Sequence, residues 1–365
     1  MLYQALASSL RLSIIARIVK LADQQSNQPP SVPSAATTIS VIIPVHNGAP
    51  DLKSCLEAVR NSTYPHYECI VVDDGSTDDS LAVARRLADK TIALPTRGGP
   101  ARARNVGARS AAGDILFFID ADVCITPQTI EQVAEIFAHD PQVDAIIGSY
   151  DDAPAAANFI SQYKNLFHHF VHQQANENAS TFWSGCGAIR RELFLQVGGF
   201  DEGYTRPCIE DIELGYRLRA AQRVIRLNKD LQVKHLKRWT FWGLLKSDVL
   251  DRGIPWTILM LKSQHIPNDL NLHAGQRLSA VLAYLLLFLL GVAVGDPPAL
   301  GAALLVLLAI ILLNWRFYAF FVRRRNLRFA TAVIPLHILY YWYSGVAFAV
   351  GLAVFLSGFR RDLET

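Results

Sequence analysis

Net charge is nearly absent from this chain: 35 basic and 32 acidic residues among 365 leave a formal excess of only +3. Without a basic–aromatic stripe or zinc-type spacing, so small an excess excludes a nucleic-acid partner. Cysteine is also sparse. The five thiols, Cys55, Cys69, Cys124, Cys186 and Cys208, are odd in number, widely spaced and form no CxxC pair. That excludes a disulfide framework and reads as reduced core thiols in a cytoplasmic compartment. Charge is scarcest in the last quarter, where only Asp296 and one basic cluster interrupt the apolar sequence between Arg277 and Arg360.

What fills that quarter is hydrophobic. Uncharged windows run over 278–295, 297–315 and 329–359, against roughly 20 residues for a spanning helix. They give three candidate spans. The segment "RFYAFFVRRRNLR" places Arg316, Arg323, Arg324, Arg325 and Arg328 in the connection before the last window. The positive-inside rule puts that loop, and the domain preceding the first span, in the cytoplasm. We therefore expect an integral membrane protein, of a bacterial inner membrane, with its soluble domain on the cytoplasmic side. Three full spans would export the Arg360–Arg361 tail, which its charge does not favour, so a last window that bends back stands as the alternative to a third full span, with Pro335 and His337 as kink and packing features. At the other end, Ile14, Ile15, Ile18 and Leu21 share one face opposite Arg17 and Lys20, the pattern of a helix lying on a membrane or docked on protein. A Pro/Ser/Gln-rich linker follows it.

From Ile39 short β-branched runs alternate with helical stretches, which predicts an α/β domain with a mainly parallel mixed sheet. "ISVIIPV", "ECIVVDD", "TIALP" and "DILFFIDAD" are the strands. In such sheets ligands gather beyond the carboxyl ends of the strands, and three of those ends, at Pro44 to Asn47, Asp73–Asp74 and Asp120 to Asp122, are polar. The apolar run "ILFF" stops on two mutually repelling carboxylates. Burying a strand and ending it there is inexpensive only if a cation meets the pair. Mg²⁺ or Mn²⁺, which prefer oxygen ligands, would bridge such a carboxylate to a diphosphate.

"VIIPVHN", "VVDDGSTDDS", "GGPARARNVGARSAAGDILFFIDAD", "GCGAIRRELFLQVGGFDE" and "EDIELGYRLRAAQ" occur in the order and approximate spacing of family-2 glycosyltransferases. The resemblance covers residues 39 to about 240, and implies the nucleotide-diphospho-sugar transferase fold, GT-A-like, with a C-terminal membrane region as in membrane-bound branches of that family. It implies Asp122 as metal ligand and Asp120 as a sugar or ribose contact. By the same analogy Asp73 or Asp74 meets the nucleotide base, with Pro44, His46 and Asn47 lining the pocket. Taken alone, "DDGSTD" is equally a turn and helix cap. Gly98 and Gly99 would let backbone approach phosphate, and Arg102 and Asn105 would reach the diphosphate or sugar, although without the family they read as a turn and a solvated helix face.

Glu210 and Asp211 open a helix whose positive end favours a carboxylate. The second acid of that pair is the family's general base, so Asp211 takes that role with Glu210 beside it. Helix capping is the alternative. Trp183, Ser184 and Gly185 suggest a tight turn with an aromatic wall for an acceptor, core packing of Trp183 being the other reading. "HLKRW" stands where processive relatives have Gln-x-x-Arg-Trp. His235 replaces the glutamine and is assigned as a metal ligand, Arg238 as a diphosphate contact and Trp239 to the acceptor side. Trp239, Trp242 and Trp256 are expected in the headgroup layer, and His168, His169 and His172 on a solvated helix surface.

These readings divide the chain at 1–38, 39–238, 239–270 (interface helices), 271–359 (spans) and 360–365. They point to a membrane-bound inverting enzyme moving a sugar from a nucleotide-sugar donor to a lipid or lipid-linked acceptor. A processive polysaccharide synthase is disfavoured by His235 and by the few spans. A non-catalytic sugar-nucleotide sensor or transport protein would have no use for a base at Asp211.

Overall fold

The computed structural model describes residues 36–358; the expected N-terminal amphipathic helix and the 360–365 tail lie outside them. Eight strands form one sheet in the order β3-β2-β1-β4-β7-β6-β8-β5. They are β1 (Ile39–Val45), β2 (Tyr67–Asp73), β3 (Lys90–Ala93), β4 (Ile115–Ile119), β5 (Val123–Cys124), β6 (Ala145–Tyr150), β7 (Cys186–Arg190) and β8 (Ile225–His235). The first four are parallel to one another, β7 is antiparallel to both β4 and β6, β6 pairs with β8 in parallel, and β5 lies antiparallel to the end of β8. This is the mixed, mainly parallel GT-A-like sheet expected from the sequence.

Alternation along the strands builds two cores, one on each face. Val41, Ile43, Phe117 and Ile119 belong to one and Ile42, Leu116 and Phe118 to the other. The helices that cover them are α1 (Ala49–Arg60), α2 (Ser80–Leu87), α3 (Pro100–Arg109), α4 (Thr129–His139), α5 (Phe159–Gln174), α6 (Arg191–Gln196) and α7 (Glu210–Ala220). Helix α3 starts where Gly99, at φ 91°, takes a left-handed turn that a side chain would resist, with Pro100 at the first helical position.

A third core joins α5 to the C-terminal helices through Tyr163, Leu166, Phe167, Phe317, Phe321 and Tyr341. Those helices are α8 (Phe241–Lys246), a π-helical turn (Ser247–Gly253), α9 (Ile254–Ser263), α10 (Ala274–Val292), α11 (Ala299–Leu313), α12 (Trp315–Arg324) and α13 (Leu327–Leu356). Among the described residues, α10 and α13 are long and apolar enough to cross a membrane, and α11 with α12 makes a third candidate bent by 67°.

Three expectations change here. The last window does not bend back: α13 is one unbroken 30-residue helix with Pro335 inside it, and Val333, Leu336 and His337 around the proline are buried. The bend falls instead at Asn314, whose amide donates to Ser279 Oγ and Ile310 O, both at 2.9 Å, and whose oxygen accepts from Tyr341 Oη at 3.0 Å. The arginine cluster is largely helical, not a loop. Arg324 pairs with Asp152 at 2.7 Å and Arg325 holds Gln162, both on the sheet-bearing part of the chain. The tryptophans also divide: Trp242 is exposed, while Trp239 is buried and Trp256 Nε1 donates to Tyr216 Oη, so only Trp242 is presented outward.

Candidate active site

A cavity of about 870 Å³ opens at the carboxyl end of β4 and collects Asp120, Asp122, Trp183, Ser184, Glu210, Asp211, His235, Arg238 and Trp239. Elements far apart in the chain converge because β4, β7 and β8 lie within one sheet and α7 starts beside the end of β4. A cavity of similar size, about 920 Å³, lies at the amino end of β4 around Gly113, Arg190 and Arg191, where no parallel strand presents its carboxyl end.

Arg104 organises the acids. Its guanidinium, buried on α3, holds Asp120 Oδ1 at 2.7 Å and Glu210 Oε1 at 2.9 Å. Burial disfavours that charge, but the two carboxylates outweigh it and keep the guanidinium firmly protonated. Glu210 Oε2 accepts from Cys208 N at 2.9 Å, so both its oxygens are committed. Burial, with the nearby Asp211 charge, raises the Glu210 carboxyl above its usual range despite Arg104. Both Glu210 oxygens are thus spent inside the protein, which leaves Asp211 as the acid of the pair that is open to the cavity.

Asp211 faces the cavity at the amino end of α7. Its Oδ2 accepts from Ser184 N at 3.1 Å and Ser184 Oγ at 3.2 Å, which fixes the rotamer. Ser184 thus aims Asp211, and Trp183 walls the cavity next to it. Gly185 does not line the cavity; a Cβ there would meet the Trp183 indole at 2.8 Å, so the glycine makes room for that ring.

Asp122 and His235 face each other, Oδ2 to Nε2, at 3.5 Å. His235 is held by Asn165 Oδ1 on Nδ1 at 2.7 Å and by a parallel Tyr150 ring 4.2 Å away. Burial pushes the Asp122 carboxyl up, but His235 and Lys237 prevail and hold it below its ordinary value. Among the described residues no three metal-ligating side chains converge. Asp122 and His235 are the side chains placed to hold a divalent cation, should one bind, with the Asn165 bond orienting the imidazole.

The donor-side expectations divide. Asp74 is occupied: its two oxygens accept from Gly98 N and Gly99 N, each at 2.8 Å. Those amides therefore hold the loop, not a phosphate. Asn105 is a strut, donating to Phe200 O at 2.8 Å and accepting from Phe200 N at 2.9 Å, so it has no amide to offer a sugar. Arg102 lies over Gly98, outside the cavity. Asp73 is buried, with Oδ2 accepting from Ser76 N and Oδ1 lacking a hydrogen-bond partner. His46 Nδ1 meets Asp74 O at 2.9 Å and Asn47 Oδ1 accepts from Thr77 N at 2.8 Å, so both, with buried Pro44, brace the β1 and β2 ends. The α5 histidines are not on a solvated surface: His169 Nδ1 bonds Tyr150 O at 2.7 Å, and His168 stacks on Tyr150 at the cavity wall.

Sequence reasoning missed Arg104, Tyr150, Lys237 and Arg252. For Arg104 a signal existed: it shares the inward stripe of α3 with Ala101 and Ala108, and an arginine on an apolar face calls for buried acids.

Residues 40–198 match the Glycosyl transferase family 2 model. An uncharacterized glycosyltransferase of Haemophilus influenzae is 27% identical over 44% of this chain and 55% of its own length. Validoxylamine A glucosyltransferase of Streptomyces hygroscopicus subsp. jinggangensis is 30% identical over 52% of this chain and 53% of its own. The chain thus spans about half the length of these curated relatives. Among solved structures, the mannosyltransferase PcManGT from Pyrobaculum calidifontis, in complex with GDP-Man and Mn²⁺, superposes with a TM-score of 0.57 over 94% of this chain and 96% of that one. At 19% identity this likeness establishes the fold.

Proposed function

We propose that this family-2 glycosyltransferase domain moves one sugar from a nucleotide-sugar donor to the hydroxyl of a lipid or lipid-linked acceptor, with inversion, at the cytoplasmic face of a membrane. One observation carries the reading: Asp122 and Asp211 open into a single cavity whose far wall is built from the segment leading into the apolar helices. A sugar-nucleotide sensor would need the first acid but not the second.

Asp211, held by Ser184 and open to the cavity, takes the proton of the acceptor hydroxyl. As that oxygen bonds to the anomeric carbon from one face, the carbon–oxygen bond to the nucleoside diphosphate breaks on the other, and the anomeric centre inverts. Asp122 and His235 would hold the divalent cation, which when bound offsets charge developing on the departing diphosphate. Arg104 keeps Asp120 turned towards the donor. Asp74 has both oxygens engaged by Gly98 N and Gly99 N, which leaves Asp73 as the candidate of the two for the base. Asp152 and Gln162 tie the arginine cluster to the sheet-bearing side, and the positive-inside rule applied to that cluster supports the cytoplasmic reading.

The test is incubation of the purified full chain with a panel of nucleotide sugars, a divalent metal and total membrane lipid, followed by mass analysis of glycosylated products. Asp211→Asn should lower transfer by about 10²–10⁴-fold while leaving donor binding intact. Full activity in that variant overturns the mechanism, and soluble products alone overturn the lipid acceptor.

A further inference from the structure

The π-helical turn Ser247–Gly253 forms the cavity wall nearest the apolar helices, and π-turns often re-aim side chains at functional sites. Its carboxylates are both engaged. Asp248 points away from the cavity to Lys164 at 2.6 Å and Tyr343 Oη at 2.8 Å. Asp251 meets Lys246 at 3.0 Å and Arg206 at 3.9 Å. Arg252 differs. It is half-buried and lines the cavity, yet makes no hydrogen bond or ion pair among the described residues.

No carboxylate lies within ion-pair distance of it among the described residues, the cavity's open acids Asp122 and Asp211 included. Its electrostatic neighbours are Tyr150, Lys164, His168 and His172, of which Lys164 is already paired. Burial, reinforced by the Arg252 charge, lowers both histidines, His172 to about 4, so they stay neutral and add no competing cation. Two more cations at the end of β8, Lys237 and Arg238, line the same cavity without an ion pair among the described residues. Lys237 lies over the Trp239 ring at 4.4 Å. A half-buried guanidinium flanked by other unpaired cations is costly until an anion enters, and its planar fork suits phosphate oxygens.

The direction of entry is set by packing. A Cβ on Gly253 would meet Ala347 at 2.7 Å, and one on Gly351 would meet Thr257 at 2.7 Å, so the turn and α9 lie hard against α13. An anion reaching Arg252 along that wall arrives beside the apolar helices, whereas Asp122 and His235 serve the donor at the sheet edge. We infer that Arg252, with Lys237 and Arg238, forms a phosphate subsite for the acceptor, which is therefore a phosphate-bearing lipid. This rests on the lipid-acceptor reading above and narrows it.

The probe is dodecyl phosphate, compared with dodecanol and inorganic phosphate, titrated calorimetrically against the detergent-solubilised full chain. Dodecyl phosphate should bind and dodecanol should not. Arg252→Ala should weaken binding by about ten- to hundredfold, the loss of charge-assisted hydrogen bonds, with Arg252→Lys in between. GDP binding in the presence of Mn²⁺, unchanged in both variants, reports intact folding and an unaffected donor site. Unaltered dodecyl phosphate binding in Arg252→Ala overturns the assignment, and so does an equal loss of GDP binding, which would give Arg252 to the donor. Inorganic phosphate binding as tightly as dodecyl phosphate would make the site one for free phosphate and overturn the lipid. Asp211→Asn should bind dodecyl phosphate like the wild type, so failure of the catalytic mechanism and failure of the subsite give different results.

Discussion

Strand β4 and helix α10 are both apolar, yet they dispose of that apolarity in opposite ways. Every residue of Ile115–Ile119 is buried, whereas α10 leaves Val281 and Phe288 about two-thirds exposed, at 65% and 66%. The strand is sandwiched because helices cover both faces of a parallel sheet. The helix is covered only along the stripe of Ser279, Ala283 and Leu286, and satisfies its own backbone hydrogen bonds without help, as a helix crossing a bilayer would have to. Hydrophobicity alone does not separate the two elements; the number of covered faces does.

The sharpest way to probe the sheet side is to remove the cation buried at its rim. Arg104→Met should strand Glu210, whose side chain is only 5% exposed, and cost about 3–5 kcal/mol of stability in a denaturant melt of the solubilised protein. A cost below about 1 kcal/mol, the range of a solvated surface pair, would mean that Arg104 and Glu210 are open to water. Matched deletions then compare the two regions directly. Phe117→Ala should cost about 3–5 kcal/mol, while Phe288→Ala in detergent should scarcely change the melt. Equal losses would place Phe288 against protein and break the contrast. Phe288→Arg should instead lower membrane insertion by about 3 kcal/mol, read as the fraction of glycosylation-tagged chain inserted in microsomes.

The smallest effect lies on the surface of the sheet domain, where Arg226 donates to Asp140 at 2.6 Å and holds its carboxyl below the usual range. The native state then binds that proton less readily than the unfolded chain, so the contribution is present at neutral pH and fades as pH falls below about 4. Asp140→Asn should flatten the acid limb of a melting-temperature profile slightly. An unchanged limb would show the pair to be without weight.

The strands were legible because an apolar run closed by turn residues leaves few alternatives, and the meeting of Asp120, Asp122, Asp211 and His235 followed from where their strands and helix end. Partnerships across the chain were not legible. Asn105 reads as a solvated helix residue until Phe200, 95 positions away, is seen to occupy both ends of its amide. Gly98 and Gly99 are flexible in sequence, but which anion their amides hold depends on the Asp74 rotamer. The spacing of the α5 histidines puts them on one helix face but does not say what covers it, since the Tyr150 ring and carbonyl that meet His168 and His169 come from a strand. The bend at Asn314 depends on partners from α10 and α13.

The bonds from Arg324 to Asp152 and from Arg325 to Gln162 fasten the sheet domain to the apolar helices. On the proposed reading the catalytic body cannot swing out to fetch its acceptor. Encounter then becomes a search by lateral diffusion in two dimensions, and turnover at fixed donor should follow the acceptor's mole fraction in the bilayer, indifferent to how much bulk volume surrounds the vesicles.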